Sequence, residues 1–142
     1  MDYKLLALGG DGIGPEVLES GLSILEAISK KNNLNFEISF DLIGGTCWDK
    51  YGTFCRNSTI EKAIESDAIL VGAVGGHKWD AMKIKGDPEE QDGLMCLRKK
   101  LGAFFGIRPA KSYKSLQNII PFNKEYVQNS EIIILREMCG GV

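Results

Sequence analysis

A chain of 142 residues, 44% hydrophobic and 25% charged, has the length of about one domain and the composition of one that folds, which excludes intrinsic disorder. Its net charge of −2 excludes a generally basic nucleic-acid binder, and Asp2, Lys4, Asp11 and Glu16 interrupt the first turns too often for a signal peptide or a membrane span, so a cytoplasmic setting is expected. Cys47, Cys55, Cys96 and Cys139 form no C-x-x-C pair and His77 is the only histidine, which leaves no zinc spacing and reads the cysteines as small buried hydrophobes.

Residues 3–8 are a nearly unbroken apolar run, as a strand covered on both faces requires, and they enter the turn Gly9-Gly10-Asp11-Gly12-Ile13-Gly14. Pro15 loses no hydrogen bond at the start of a helix. Val17, Leu18, Gly21, Leu22, Leu25 and Ile28 follow at helical spacing and predict a buried stripe. After Asn32-Asn33, the residues Phe36, Ile38, Phe40 and Leu42 alternate with polar ones as a second strand, which Gly44-Gly45 ends. Ser58 and Glu61 read as a capping box for a second helix leading to an apolar strand at 68–74. A loop rich in glycine, proline and charge covers 75–92. Beyond it come a helix at about 93–101, a strand at about 104–108, an irregular basic stretch and an apolar strand at 132–135.

Strands alternating with helices predict an α/β fold, a mostly parallel sheet with helices on both faces. The last strand runs straight into Gly140-Gly141-Val142 with nothing to cover it, so the sheet is expected to be incomplete, the amino-terminal part of a longer fold.

The glycine turn invites comparison with the dinucleotide fingerprint, because strand, glycines, helix, second strand and the acid Asp41 come in order. The spacing fails, since Pro15 stands where the last glycine should be. What remains is a tight loop feeding a helix terminus with free N–H groups, or a plain structural turn with Asp11 as the electrostatic partner of that helix end. From Arg98 to Lys114 there are six basic residues and no acidic one, a candidate anion site set against the plain reading of a solvated basic face. Together these features also fit a small phosphate-binding module of flavodoxin-like form. Leu94 and Arg98, four apart, share a helix face that suits an alkyl group beside a carboxylate, although the same spacing describes an ordinary core leucine. A guanidinium stays charged and pairs bidentately with carboxylates, while an exposed ion pair contributes only about 0–1 kcal/mol.

Residues 10–16 (Gly-Asp-Gly-Ile-Gly-Pro-Glu) resemble the opening signature of the β-decarboxylating dehydrogenases, the isocitrate/isopropylmalate dehydrogenase family. Residues 74–80 (Val-Gly-Gly-His-Lys-Trp-Asp) resemble that family's Gly-Gly-Pro-Lys-Trp-Asp loop in the form of the isopropylmalate branch, with His77 in place of proline. Leu97-Arg98-Lys99, Ile107-Arg108-Pro109-Ala110-Lys111 and Leu135-Arg136-Glu137 before Gly140-Gly141 resemble three more motifs, in order and at matching intervals. The resemblance spans essentially the whole chain and the amino-terminal portion of a family member.

It implies NAD-linked oxidation of the hydroxyl of a small dicarboxylate, 3-isopropylmalate in this branch, followed by loss of carbon dioxide, with magnesium or manganese as the divalent cation. It assigns Arg98, Arg108 and Arg136 to the substrate carboxylates and Leu94 with Met95 to the isopropyl pocket. The nicotinamide half of NAD falls to Ile13, Gly76, His77, Lys78, Trp79 and Asp80. The acid normally placed before the substrate helix coincides with Gln91, with Glu90 one step earlier. Trp48 is read as packing. Residues 1–102 would begin a discontinuous first domain and 103–142 a second domain that forms a homodimer. The family's tyrosine, lysine and metal-binding aspartates match positions beyond Val142. No catalytic residue or metal ligand is therefore expected here, and the 142 residues alone are expected to be inactive and poorly folded. Branches acting on tartrate or homoisocitrate are the nearest alternatives.

Overall fold

In the computed structural model, residues 2–80, 82 and 92–138 are described. The chain divides into two compact units, Met1–Leu101 and Gly102–Val142.

The first unit is built around β1 (Asp2–Gly10), which runs parallel to β2 (Asn35–Asp41) on one side and β3 (Ala68–Ala73) on the other. Leu5, Leu6, Ala7 and Leu8 are all buried because neighbouring side chains point to opposite faces and both faces are covered. Leu6 and Leu8 join a cluster with Ile43, with Ile60 and Ala63 of α3 (Asn57–Ile64), and with Leu97 of α5 (Gly93–Lys100). Each such leucine contributes about 1.5–3 kcal/mol. The opposite face lies under α1 (Gly14–Asn32), where Gly9 abuts Pro15 and Leu18 is buried. A parallel sheet with helices on both faces results.

Gly14 and Gly72 explain how closely α1 sits. A Cβ on either would collide with backbone of the opposing segment, so the helix backbone rests directly on β1 and β3. The predicted stripe is only partly buried. Leu18 is buried, Leu22 and Leu25 are half-buried, and Val17, Gly21 and Ile28 are exposed, since among the described residues α1 packs chiefly on β1 and β3.

Two local expectations change. Gly44-Gly45 does not merely end β2, because Gly44 is the N-cap of α2 (Gly45–Tyr51), which closes at Gly52 in a left-handed conformation. The capping box at Ser58 and Glu61 does not form. The N-cap of α3 is Arg56, in extended conformation, and its carbonyl accepts from the Thr59 and Ile60 amides without any side-chain cap. Cys47 is buried, Cys55 and Cys96 are half-buried against the core, and all three thiols are free. Burial, with Cys96 and Cys47 nearby, pushes the Cys55 thiol up to about 12.

In the second unit β4 (Phe105–Lys111) pairs antiparallel with β5 (Glu131–Glu137), joined through a 3-10 turn (Lys114–Leu116) and α6 (Lys124–Val127). This antiparallel ribbon is a separate sheet from the parallel one of the first unit. Among the described residues no helix is long and apolar enough to cross a membrane.

Candidate functional site

The turn after β1 is organised by a buried acid. Asp11 is 1% exposed, and its carboxylate accepts from the amides of Gly45 (2.9 Å), Thr46 (2.7 Å) and Gly75 (2.9 Å). The helix it serves is therefore α2 rather than the one it precedes. At the start of α1, the Gly14 amide already donates to the Asp11 carbonyl at 2.8 Å and Pro15 has no N–H, so this terminus offers an anion little. Gly44 must be glycine twice over: its φ is +80°, and a Cβ there would overlap the Asp11 carboxylate and Val74.

The segment after β3 hangs on the same scaffold. Beyond Gly75, residues expected as loop form the short helix α4 (His77–Asp80), nucleated by amides of Trp79 and Asp80 donating to the Gly76 carbonyl at 2.9 and 3.0 Å. The Trp79 indole occupies the space a Cβ on Gly45 would need and lies against Gly76. Its Nε1 donates to Asp49 Oδ1 at 3.2 Å, while Lys78 Nζ donates to Asp49 Oδ2 at 2.6 Å. These hydrogen bonds, that from Lys78 first, hold the Asp49 carboxyl below its ordinary value. A cleft of about 250 Å³ opens here, lined by Asp11, Gly45, Val74, Gly75, Trp79 and Asp80 among others. His77 and Lys78 do not line it, and Ile13, at the start of α1, is 58% exposed. Glu90 and Gln91 lie outside the described residues.

Asp49 escaped sequence reasoning because α2 did. Seven residues are too few to show a helical period; the signal that could have found it is the glycine at each end.

On α5, Asp92 is the N-cap, accepting from the Leu94 amide at 2.9 Å and the Met95 amide at 3.3 Å. Leu94 and Arg98 line one groove of about 330 Å³ together with Ile69, Val71, Gly72 and Leu97. Met95 is half-buried and is not among the residues lining it. On the β4–β5 ribbon, Gly106 faces Arg136 and Arg108 faces Ile134. Arg108 and Arg136 are therefore diagonal neighbours on one face, at a typical separation of about 7–8 Å. Both are exposed, and among the described residues no carboxylate pairs with Arg98, Arg108 or Arg136.

Asp41 has no ligand role open to it. Arg56 and Lys62 both pair with its carboxylate, which is only 3% exposed. Trp48 stacks on Phe54 at 4.9 Å, as a packing residue. Among the described residues no three His, Cys, Asp or Glu side chains come together to hold a metal.

A family model described as isocitrate/isopropylmalate dehydrogenase matches residues 4–142. A 3-isopropylmalate dehydrogenase of Dehalococcoides mccartyi is 46% identical over 142 residues, covering 100% of this chain and 38% of that protein. One from Listeria monocytogenes is 43% identical over 142 residues, covering 100% of this chain and 39% of that protein. The chain thus spans less than two fifths of the length of these curated relatives. Among solved structures, a β-decarboxylating dehydrogenase from Thermococcus kodakarensis is 27% identical with a TM-score of 0.65, over 95% of this chain and 33% of that one. The isocitrate dehydrogenase from Methylococcus capsulatus shares the fold at 19% identity and a TM-score of 0.75, over 98% of this chain and 35% of that one. On this match, covering nearly every residue, the chain belongs to the isocitrate/isopropylmalate dehydrogenase family.

Proposed function

We propose that the protein oxidises the hydroxyl of 3-isopropylmalate with NAD as acceptor and releases carbon dioxide from the resulting β-keto acid, giving 4-methyl-2-oxopentanoate. The observation that carries this reading is the shared groove of Leu94 and Arg98, an apolar wall beside a guanidinium with no carboxylate partner among the described residues. That groove suits a branched alkyl group next to a carboxylate. Homoisocitrate would press another carboxylate against Ile69, Val71 and Leu94, at the cost of desolvating a charge. Tartrate would leave the apolar wall unfilled.

Arg98 holds one substrate carboxylate bidentately and Leu94 receives the isopropyl group, while Arg108 and Arg136, neighbours on their ribbon, supply further cationic contacts. NAD, when bound, accepts the hydride. The cleft lined by Gly75, Trp79 and Asp80 supports its placement, since it offers a flat indole and a glycine backbone beside a polar wall. On this reading Trp79 and Asp80 face the nicotinamide from the cleft wall, Ile13, Gly76, His77 and either Glu90 or Gln91 are further contacts, and Lys78 belongs to the same segment. The described residues bring together no metal-ligand set, so the divalent cation, magnesium or manganese, is not assigned to them. Residues 1–102 open the first domain, 103–142 begin the second, and the working protein is a cytoplasmic homodimer.

The test is calorimetric titration of the protein, expressed from its own gene, with 3-isopropylmalate, tartrate and homoisocitrate, alongside an assay of NAD reduction. Isopropylmalate is expected to bind, and Arg98→Ala to weaken it by about one to two orders of magnitude, the range of a lost charge-assisted bond. Unchanged binding in that variant would remove the proposal.

A further inference from the structure

The cleft proposed for NAD is walled by a short segment, Gly75 to Asp80, that needs something to fix it. Two carboxylates do so from opposite ends. Asp11 takes the Gly75 amide at 2.9 Å while also holding the first two amides of α2, so the start of the segment and the start of that helix share one buried acceptor. One turn into α2, Asp49 takes both the Lys78 ammonium at 2.6 Å and the Trp79 indole N–H at 3.2 Å. Between the two, the indole lies flat on Gly45, in space only a glycine leaves open.

We infer that Asp11 and Asp49 are positioning residues for the dinucleotide, pinning the segment 75–80 to α2 so that its cleft is formed before the ligand arrives. The inference rests on the dinucleotide reading of that cleft. It also gives Lys78 a different task from the one expected, because its ammonium is engaged by Asp49 and serves to anchor the segment rather than to meet the cofactor. A segment held in its binding conformation loses less conformational freedom on association, so releasing it weakens binding without altering the contacts themselves. The effect should fall on the dinucleotide alone. The groove of Leu94 and Arg98 is lined by other residues of β3 and α5, and neither Asp11 nor Asp49 lines it.

Asp49→Asn in the native protein tests this, because Asp49 lies at the surface and its substitution leaves the core intact. It is expected to raise the dissociation constant and the KM for NAD by about fivefold, the upper range of an exposed ion pair. The KM for isopropylmalate and kcat at saturation should stay within about twofold. Asp11→Asn, which turns one acceptor of a buried carboxylate into a donor facing amides, should shift the NAD values further, by about tenfold or more. If a folded Asp49→Asn protein binds NAD as the unsubstituted protein does, or if both KM values rise together, the inference fails while the dinucleotide reading stands. If the unsubstituted protein binds no NAD, both fail.

Discussion

Asp41 carries a pH dependence that follows from its surroundings. Burial pushes its carboxyl up, but hydrogen bonds from Lys62, the Leu42 amide and Arg56 outweigh that and leave it below its ordinary value of 3.8. A folded-state value depressed in this way adds stability that is fully present above the unfolded value and is lost as pH falls through the folded one. Asp41→Asn is expected to lower stability by about 2 kcal/mol at neutral pH, the size of charge-assisted bonds to a buried acceptor. The gap between variant and wild type should shrink as the pH falls below 3.8. Urea unfolding midpoints measured across that range check it, and a gap independent of pH contradicts it. In the sequence, Asp41 stood as the acid of a dinucleotide fingerprint whose glycine spacing fails, and Asp11 as one candidate partner of its own helix end. Neither role survived, because the groups that decide them are far away along the chain: the Asp11 partners lie 34, 35 and 64 residues on, and those of Asp41 come from α3 and the residue before it.

Among the elements, those with a full period of apolar residues were legible. β1, α1, β2, β3, α5 and β4 lie close to where alternation or helical spacing placed them. The short helices α2, α4 and α6 were not, since four to seven residues cannot establish a 3.6-residue repeat and their ends are fixed by tertiary partners such as Asp11 and Asp49. Of these elements, α5 carries the proposed substrate contacts Leu94 and Arg98, and its first turn is capped by one side chain. Asp92→Ala removes the acceptor of the Leu94 and Met95 amides and should cost about 1 kcal/mol. Hydrogen exchange at those two amides should accelerate while exchange in β1 stays slow. Unchanged protection at Leu94 would mean that packing of Leu97, not the cap, holds the turn.

At the scale of the whole molecule, the family was readable from five ordered motifs, whereas the relation between Arg108 and Arg136 was not. Only the register of β4 against β5 puts them on one face. The same register puts Phe105, Ile107, Pro109, Ile133 and Leu135 together on the other, and every one of β5's residues is exposed. Ile107, Ile133 and Leu135 are 65%, 61% and 59% exposed, so among the described residues the second unit presents a contiguous apolar face and a ribbon with both strand edges unpaired. Exposed apolar surface of this kind binds apolar dyes and associates with copies of itself. Expressed on its own, the 142-residue chain is therefore expected to enhance the fluorescence of an apolar dye and to show concentration-dependent association by light scattering. Ile133→Lys sets a charge in the middle of that face, and it should reduce both signals. A monomeric chain that leaves the dye dark would contradict the expectation. A chain whose association survives Ile133→Lys would instead move the sticky surface to the exposed residues of α1, Val17, Ile24 and Ile28.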